Sequence, residues 1–269
     1  MACLVEAETI SEGWANASYR LLSAKGHRMT NLLVLVKNPM EEVLEVRRRL
    51  DNFFASHKTK GFGTVDAVAD TLFPIDYYDP DEKGSEQMFY GRWNEAREFE
   101  KLGLPGGDYF TRLCRYPGSR GEVPQLERVV ERLRWAGKKG IRNSNRTELG
   151  ISISEELRVQ DPDKDTSVMG FPCLSHISVT LAWGKVSLTA TYRAQDYTLK
   201  AYGNLVGLGR LANFMATESG FEIGEVLCIA SCGTLSAHNV AMVQLRSLIE
   251  SCVAYLGEES SGEVVHERR

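Results

Sequence analysis

The chain has 269 residues, 43% of them hydrophobic and 25% charged, with a formal net charge of −4. That is enough to bury a substantial core, and the slightly acidic balance excludes a general attraction to nucleic acid or anionic membranes, so an anionic ligand must be met by local arginines. The opening MACLVEAETISEGW carries glutamates where a signal peptide is basic, and no apolar run approaches the roughly 18 residues of a membrane span, so a cytoplasmic location is expected.

In chain order, Trp14, Ala17, Leu21 and Leu22 recur at helical spacing, which predicts a helix over 11–24 closed by Gly26. A strand follows at 31–38. Pro39 then opens a helix through His57 whose Arg47, Arg48 and Arg49 face mostly outward. A third helix is expected over 64–73, stopped by Pro74, a fourth over 85–102 and a fifth over 123–137. The polar stretch KKGIRNSNRTELG reads as a loop leading into a strand LGISIS, and QDPDKDTS as a second exposed loop.

From Leu174 the pattern changes to two strands, LSHISVTLAW and KVSLTATYRA, joined by a tight turn at Gly184 and Lys185. A glycine-bearing helix to Gly220, a strand EVLCIAS and a helix from His238 to Tyr255 complete the order, and GEESSGEVVHERR reads as a frayed polar tail. The expected organisation is one α+β domain over 1–256, a mixed sheet packed with helices, followed by the tail 257–269. The six cysteines include no CxxC and the five histidines are scattered, so reduced thiols and no metal are expected.

A lone cysteine is most often a small buried apolar residue, but Cys173 does not stand alone. It follows Pro172 at the mouth of a strand. The second strand of the hairpin ends in Arg193-Ala194-Gln195-Asp196, and Asn204 lies in the helix beyond. This constellation resembles the thymidylate synthase and deoxycytidylate hydroxymethylase superfamily over roughly residues 109–245. The resemblance implies that Cys173 is the nucleophile, Arg193 a phosphate ligand with Ala194 and Gln195 beside it, Asp196 a contact for the pterin of 5,10-methylenetetrahydrofolate, and Asn204 the reader of the pyrimidine.

The chemistry accounts for those residue types. Carbon 5 of a pyrimidine becomes nucleophilic only after a thiolate adds at carbon 6, and a guanidinium nearby both favours the thiolate and holds the substrate phosphate. A side-chain amide offers one donor face and one acceptor face to a base edge. By the same resemblance Tyr109, in GDYFTRL, stands where the family has the tyrosine that helps remove the carbon 5 proton, although Phe110 replaces the glycine that follows it. Arg142 and Arg146 are candidates for the arginines that family members extend to the phosphate of the neighbouring subunit in a homodimer.

Three departures shape the expected reaction. Where thymidylate synthases carry a His and a Tyr for the sugar, this chain has Thr234 and Ser236, with Cys232 at the preceding Asp. The wider, hydroxyl-lined pocket suggests a ribonucleotide, while His238 offers an alternative sugar contact. Ala194 replaces a serine and removes one hydroxyl from the phosphate site. The chain ends in VVHERR instead of a short apolar closing segment, which admits water to the exocyclic methylene intermediate and favours a hydroxymethyl product. The pattern looks most like CMP 5-hydroxymethylases of nucleoside-antibiotic biosynthesis. The competing expectations are a divergent thymidylate synthase and a non-catalytic nucleotide-binding paralogue. Expected partners are a pyrimidine nucleoside monophosphate and folate, with no nucleic acid and no membrane.

Overall fold

The computed structural model describes residues 2–57, 63–99, 108–153, 156–157 and 172–266. Strand β1 (Cys3–Ala7), helix α1 (Ile10–Ser23) and strand β2 (Arg28–Val36) form a parallel crossover unit at the start of the chain. Thr9 and Glu12 close a reciprocal capping box at the start of α1. Trp14, Ala17, Leu21 and Leu22 then bury the predicted face, and Trp14 Nε1 donates to the carbonyl of Tyr197 at 2.9 Å. The five residues of β1, CLVEA, did not announce themselves as a strand.

Pro39 does not open the second helix. Residues 38–43 form a turn in which Val43 N donates to Ser11 Oγ at 2.8 Å, and α2 (Leu44–Ser56) begins after it. Arg47, expected among outward arginines, is only 16% exposed and bridges Glu42, Asp51 and Asp66. Helix α3 (Val65–Ala69) is a single capped turn, shorter than the predicted 64–73. Helix α4 (Ser85–Phe99) follows, the remainder of its predicted span lying outside the described residues. After α5 (Tyr109–Cys114) comes an unforeseen hairpin of β3 (Tyr116–Gly118) and β4 (Gly121–Val123), then α6 (Gln125–Lys138).

The polar stretch read as a loop is a strand: β5 (Ser144–Gly150) starts before the predicted LGISIS and ends where that strand was to begin. It pairs with β6 (Leu174–Ala182) as the edge of the sheet, where ladder hydrogen bonds tolerate Arg146 and Glu148 facing water while Thr147 and Leu149 turn inward. The loop QDPDKDTS lies outside the described residues. Strand β7 (Lys185–Tyr192) completes the hairpin through a two-residue turn at Trp183 and Gly184, one residue earlier than expected. Both turn residues have positive φ, 51° and 84°, the geometry that fits the twist of paired strands.

After the short strand β8 (Gln195–Asp196), helix α7 (Ala201–Ser219) crosses the sheet and returns as β9 (Glu222–Thr234), parallel to β7 and β8. The last helix, α8, covers Met242–His266, so it starts later than His238 and continues through part of the segment read as a frayed tail. Among the described residues the sheet has seven strands in the order β1-β2-β9-β7-β6-β5, with β8 paired to β9. This is the mixed α+β architecture that the sequence pattern predicted.

Val34, Cys228, Ala190 and Ile177 line up across the strands on the face that the helices bury. On the opposite face Leu33, Leu35, Leu227 and Ile229 stand beside Thr189, Thr191, Ser178 and Thr180, all half-buried. Helix α7 reaches its place because it lacks side chains where it crosses its neighbours. A Cβ at Gly203 would lie 2.6 Å from Val68 Cβ, and one at Gly207 would lie 2.7 Å from the carbonyl oxygen of Ala69.

Candidate active site

The candidate residues gather where the mutually parallel strands β7, β8 and β9 run out and α7 begins. Cys173 precedes β6 and lies beside the end of β7, since Leu174 pairs with Tyr192. Arg193 clamps this junction. Its backbone N donates to the Cys173 carbonyl at 2.8 Å and its Nε to the Pro172 carbonyl at 3.1 Å. Cys173 is half-buried, and Arg193 is exposed. The proline therefore contributes a carbonyl that orients the guanidinium, and the cysteine side chain is free of any disulfide, as are the other five.

Tyr109 is delivered to the same place by α5. Asp108 caps that helix by accepting from Thr111 N at 2.7 Å, and Phe110 N donates to the Thr71 carbonyl at 2.8 Å. The Phe110 ring packs against Phe73, Phe89 and Trp93 at centroid separations of 5.8, 5.4 and 5.1 Å. The residue that breaks the family's glycine pattern is thus an aromatic anchor, and the adjacent Tyr109 projects toward Cys173. Burial pushes the Tyr109 hydroxyl's pKa up, with the Cys173 side chain acting in the same direction, against the amides of Leu174 and Cys173 and the Arg193 charge. A further brace comes from Arg112, which donates to the Ile151 carbonyl and to both oxygens of Glu156 at 2.7 and 2.8 Å.

Asp196 is deeply engaged with its own chain. Oδ1 accepts from the N–H groups of Thr198 and Leu199 at 2.9 and 2.8 Å, and Oδ2 lies 2.7 Å from His238 Nε2. The loop that carries His238 is stitched to β8: Tyr197 N donates to the Thr234 carbonyl, and Thr198 Oγ1 donates to the Ser236 carbonyl, both at 2.8 Å. Thr234 closes β9, while Ser236 and His238 follow it. His238 and Asn239 both have positive φ, 45° and 67°, an uncommon backbone state for residues other than glycine. The histidine weighed as a replacement sugar contact therefore does reach back, but to Asp196.

Gln195 turns inward and is 3% exposed. Its Oε1 accepts from the Cys228 thiol at 3.4 Å, and its Nε2 has no hydrogen-bond partner among the described residues. The buried Tyr192 hydroxyl is likewise unpartnered. No sequence signal singled out Tyr192 or Cys228. Asn204 lies in the first turn of α7, 5% exposed, and Ala194 is half-buried next to Arg193.

Two candidates lie elsewhere in the chain. Arg142 sits at the opposite end of the hairpin, where its Nη2 donates to the Trp183 carbonyl at 3.4 Å, and Arg146 is exposed on edge strand β5. Neither approaches Cys173 within one chain. Among the described residues no cluster of His, Cys, Asp or Glu could hold a metal, and no helix is long and apolar enough to cross a membrane.

The chain is 25% identical over 88% of its length to a Methanothermobacter thermautotrophicus protein named "putative thymidylate synthase", of which the match covers 93%. A Methanosarcina mazei protein of the same name is 28% identical over 56% of this chain and 67% of its own. A third, from Methanothermobacter marburgensis, is 29% identical over 43% of this chain and 44% of its own. No protein-family model matches the chain. These similarities support a thymidylate synthase-like superfamily.

Proposed function

We propose that the protein transfers a one-carbon unit from 5,10-methylenetetrahydrofolate to carbon 5 of a pyrimidine nucleoside 5′-monophosphate, with water completing a 5-hydroxymethyl product and CMP as the favoured acceptor. The observation that carries this reading is the junction of Cys173, Arg193 and Tyr109. A half-buried thiol, an arginine bonded to the Cys173 carbonyl through its backbone N and to the Pro172 carbonyl through its guanidinium, and a largely buried tyrosine meet at this junction. A binding module needs the guanidinium but has no use for the thiol.

Cys173 adds through sulfur to carbon 6, and Arg193 binds the 5′-phosphate. Tyr109, whose raised pKa keeps it protonated at neutral pH, donates or relays a proton near carbon 5. Asn204 reads the base edge, and Thr234 and Ser236 line the sugar side. Folate supplies the one-carbon unit. A carboxylate accepts up to about four hydrogen bonds, and Asp196 receives three from its own chain, so it keeps room for one N–H of a pterin. The half-buried face around Leu33, Leu35, Leu227 and Ile229 supplies a seat for a symmetric homodimer.

The names of the relatives favour a second reading, reductive methylation of dUMP. Incubation with CMP, dCMP, UMP or dUMP and methylenetetrahydrofolate separates the two. A hydroxymethyl mass gain on CMP with no dihydrofolate absorbance is the expected result. A methyl gain on dUMP with dihydrofolate formed would replace it with the second reading. Binding without a mass gain on any nucleotide would leave a non-catalytic binder.

A further inference from the structure

Resting on the water-trapping reading above, we infer that Asp196 and His238 form a positioned general base that takes the proton of the water added to the substrate. Asp196 is fixed through Oδ1 by the amides of Thr198 and Leu199, and its Oδ2 meets His238 Nε2 at 2.7 Å. A carboxylate only accepts, so the shared proton resides on Nε2 and the lone pair of a neutral imidazole is left on Nδ1. Nδ1 makes no hydrogen bond to a described residue, and the side chain is 35% exposed at the Cys173 end of the sheet. Two consecutive left-handed residues, His238 and Asn239, hold the ring there, in a loop tied down by Tyr197 and Thr198.

The step balances as follows. Water oxygen bonds to the exocyclic methylene carbon, and the carbon–carbon π pair moves into the ring. The water proton goes to His238 Nδ1. The ring pair then re-forms the C5–C6 double bond as the C6–S bond breaks, returning Cys173 as thiolate. Run backward, the same sequence dehydrates a 5-hydroxymethyl nucleotide with imidazolium as the acid.

That reversal permits a test without folate: the enzyme is incubated with 5-hydroxymethyl-CMP in ¹⁸O-water, and incorporation of ¹⁸O into recovered nucleotide is read by mass. Wild type should exchange and Cys173→Ala should not. His238→Gln, which can still donate to Asp196, should exchange about 100-fold more slowly, the lower range of general acid–base contributions, with nucleotide affinity changed by less than about threefold. Asp196→Asn keeps the Oδ1 contacts but donates to Nε2, places the proton on Nδ1, and should slow exchange to a similar degree. Added imidazole should restore exchange to His238→Ala, which a structural role would not allow. Exchange by His238→Gln at the wild-type rate would overturn the inference and leave the hydroxymethylation reading standing. Absence of exchange by wild type, despite measured binding of the nucleotide, would overturn both.

Discussion

The two ends of β6, β7 and β9 are built from the same strands and furnished in opposite ways. At one end stand Cys173, Tyr109, Arg193 and the Asp196–His238 pair. At the other, about 26 Å away along β6 at roughly 3.3 Å per residue, lie the Trp183–Gly184 turn and a cavity of about 630 Å³ lined by Arg134, Lys138, Arg142 and Glu222. The far end offers an open cavity and several basic residues, yet Arg134 there is already paired. Arg134 donates to Glu86 and Glu218, and helices α6 and α7 both end there, presenting carbonyls. The near end instead brings together groups that bear chemistry. Volume and positive charge do not by themselves mark a reactive site. What distinguishes the near end is a half-buried thiol next to an arginine bonded to the carbonyls of Pro172 and Cys173.

The largest expected contrast is in turnover. Cys173→Ala should abolish the covalent nucleotide adduct and lower product formation by at least about 10⁴-fold, as for removal of other enzyme nucleophiles, read by intact-protein mass and single-turnover assay. Arg193→Ala should weaken nucleotide affinity by about 10- to 100-fold, the range of a charge-assisted contact. The loss should shrink for the nucleoside lacking phosphate, measured by calorimetry. Equal losses for nucleotide and nucleoside would mean that Arg193 only orders the Pro172–Cys173 junction.

Helix α7 spans both ends and allows a matched pair of substitutions. Gly203→Ala, at the near end, drives a methyl into Val68 and the Val65 carbonyl and should cost about 1–3 kcal/mol. Gly220→Ala, at the far end, meets open space and suffers only from its φ of 75°, so about 1 kcal/mol is expected from urea unfolding. The interior thiol between the ends adds a pH dependence. Burial pushes Cys228 up to about 12, partly opposed by its hydrogen bond to Gln195. Its contribution to stability is therefore complete below its unfolded pKa of about 8.5 and is lost as pH rises toward its folded value, by about 1.4 kcal/mol per pH unit. Cys228→Ala should remove that share of the alkaline slope. The smallest effect is the most informative about assembly. Arg142→Ala should leave nucleotide affinity within about twofold if the far end is inert. A loss of tenfold or more with an unchanged fold would put that arginine at the near end of a partner subunit.

Much of the near end was legible in the chain, because it depends on short-range order. Pro172–Cys173 precedes the first strand and Arg193–Asp196 follows the second strand of one hairpin in a fixed register, so their proximity at its open end follows from strand pairing and a two-residue turn. The α+β class, helix α1, the β6–β7 hairpin and the presence of a helix before Gly220 followed from local sequence pattern in the same way. Strand β5 was not legible, since its polar residues are strand-like only through an edge partner distant in sequence. Nor was the bond between Asp196 and His238, which depends on how β9 ends against β8.

The sequence alone thus determined the kind of chemistry on offer, a thiol, a guanidinium, an amide and a tyrosine at intervals that local structure converts into nearness. Only the tertiary structure decided which of these groups remain available. It filled most of the acceptor capacity of Asp196, turned Gln195 into the interior, sent Arg142 to the opposite end of the hairpin and gave His238 an oriented ring. Hydrogen-bond satisfaction is a property of the whole packed chain, settled between residues that no sequence window holds together.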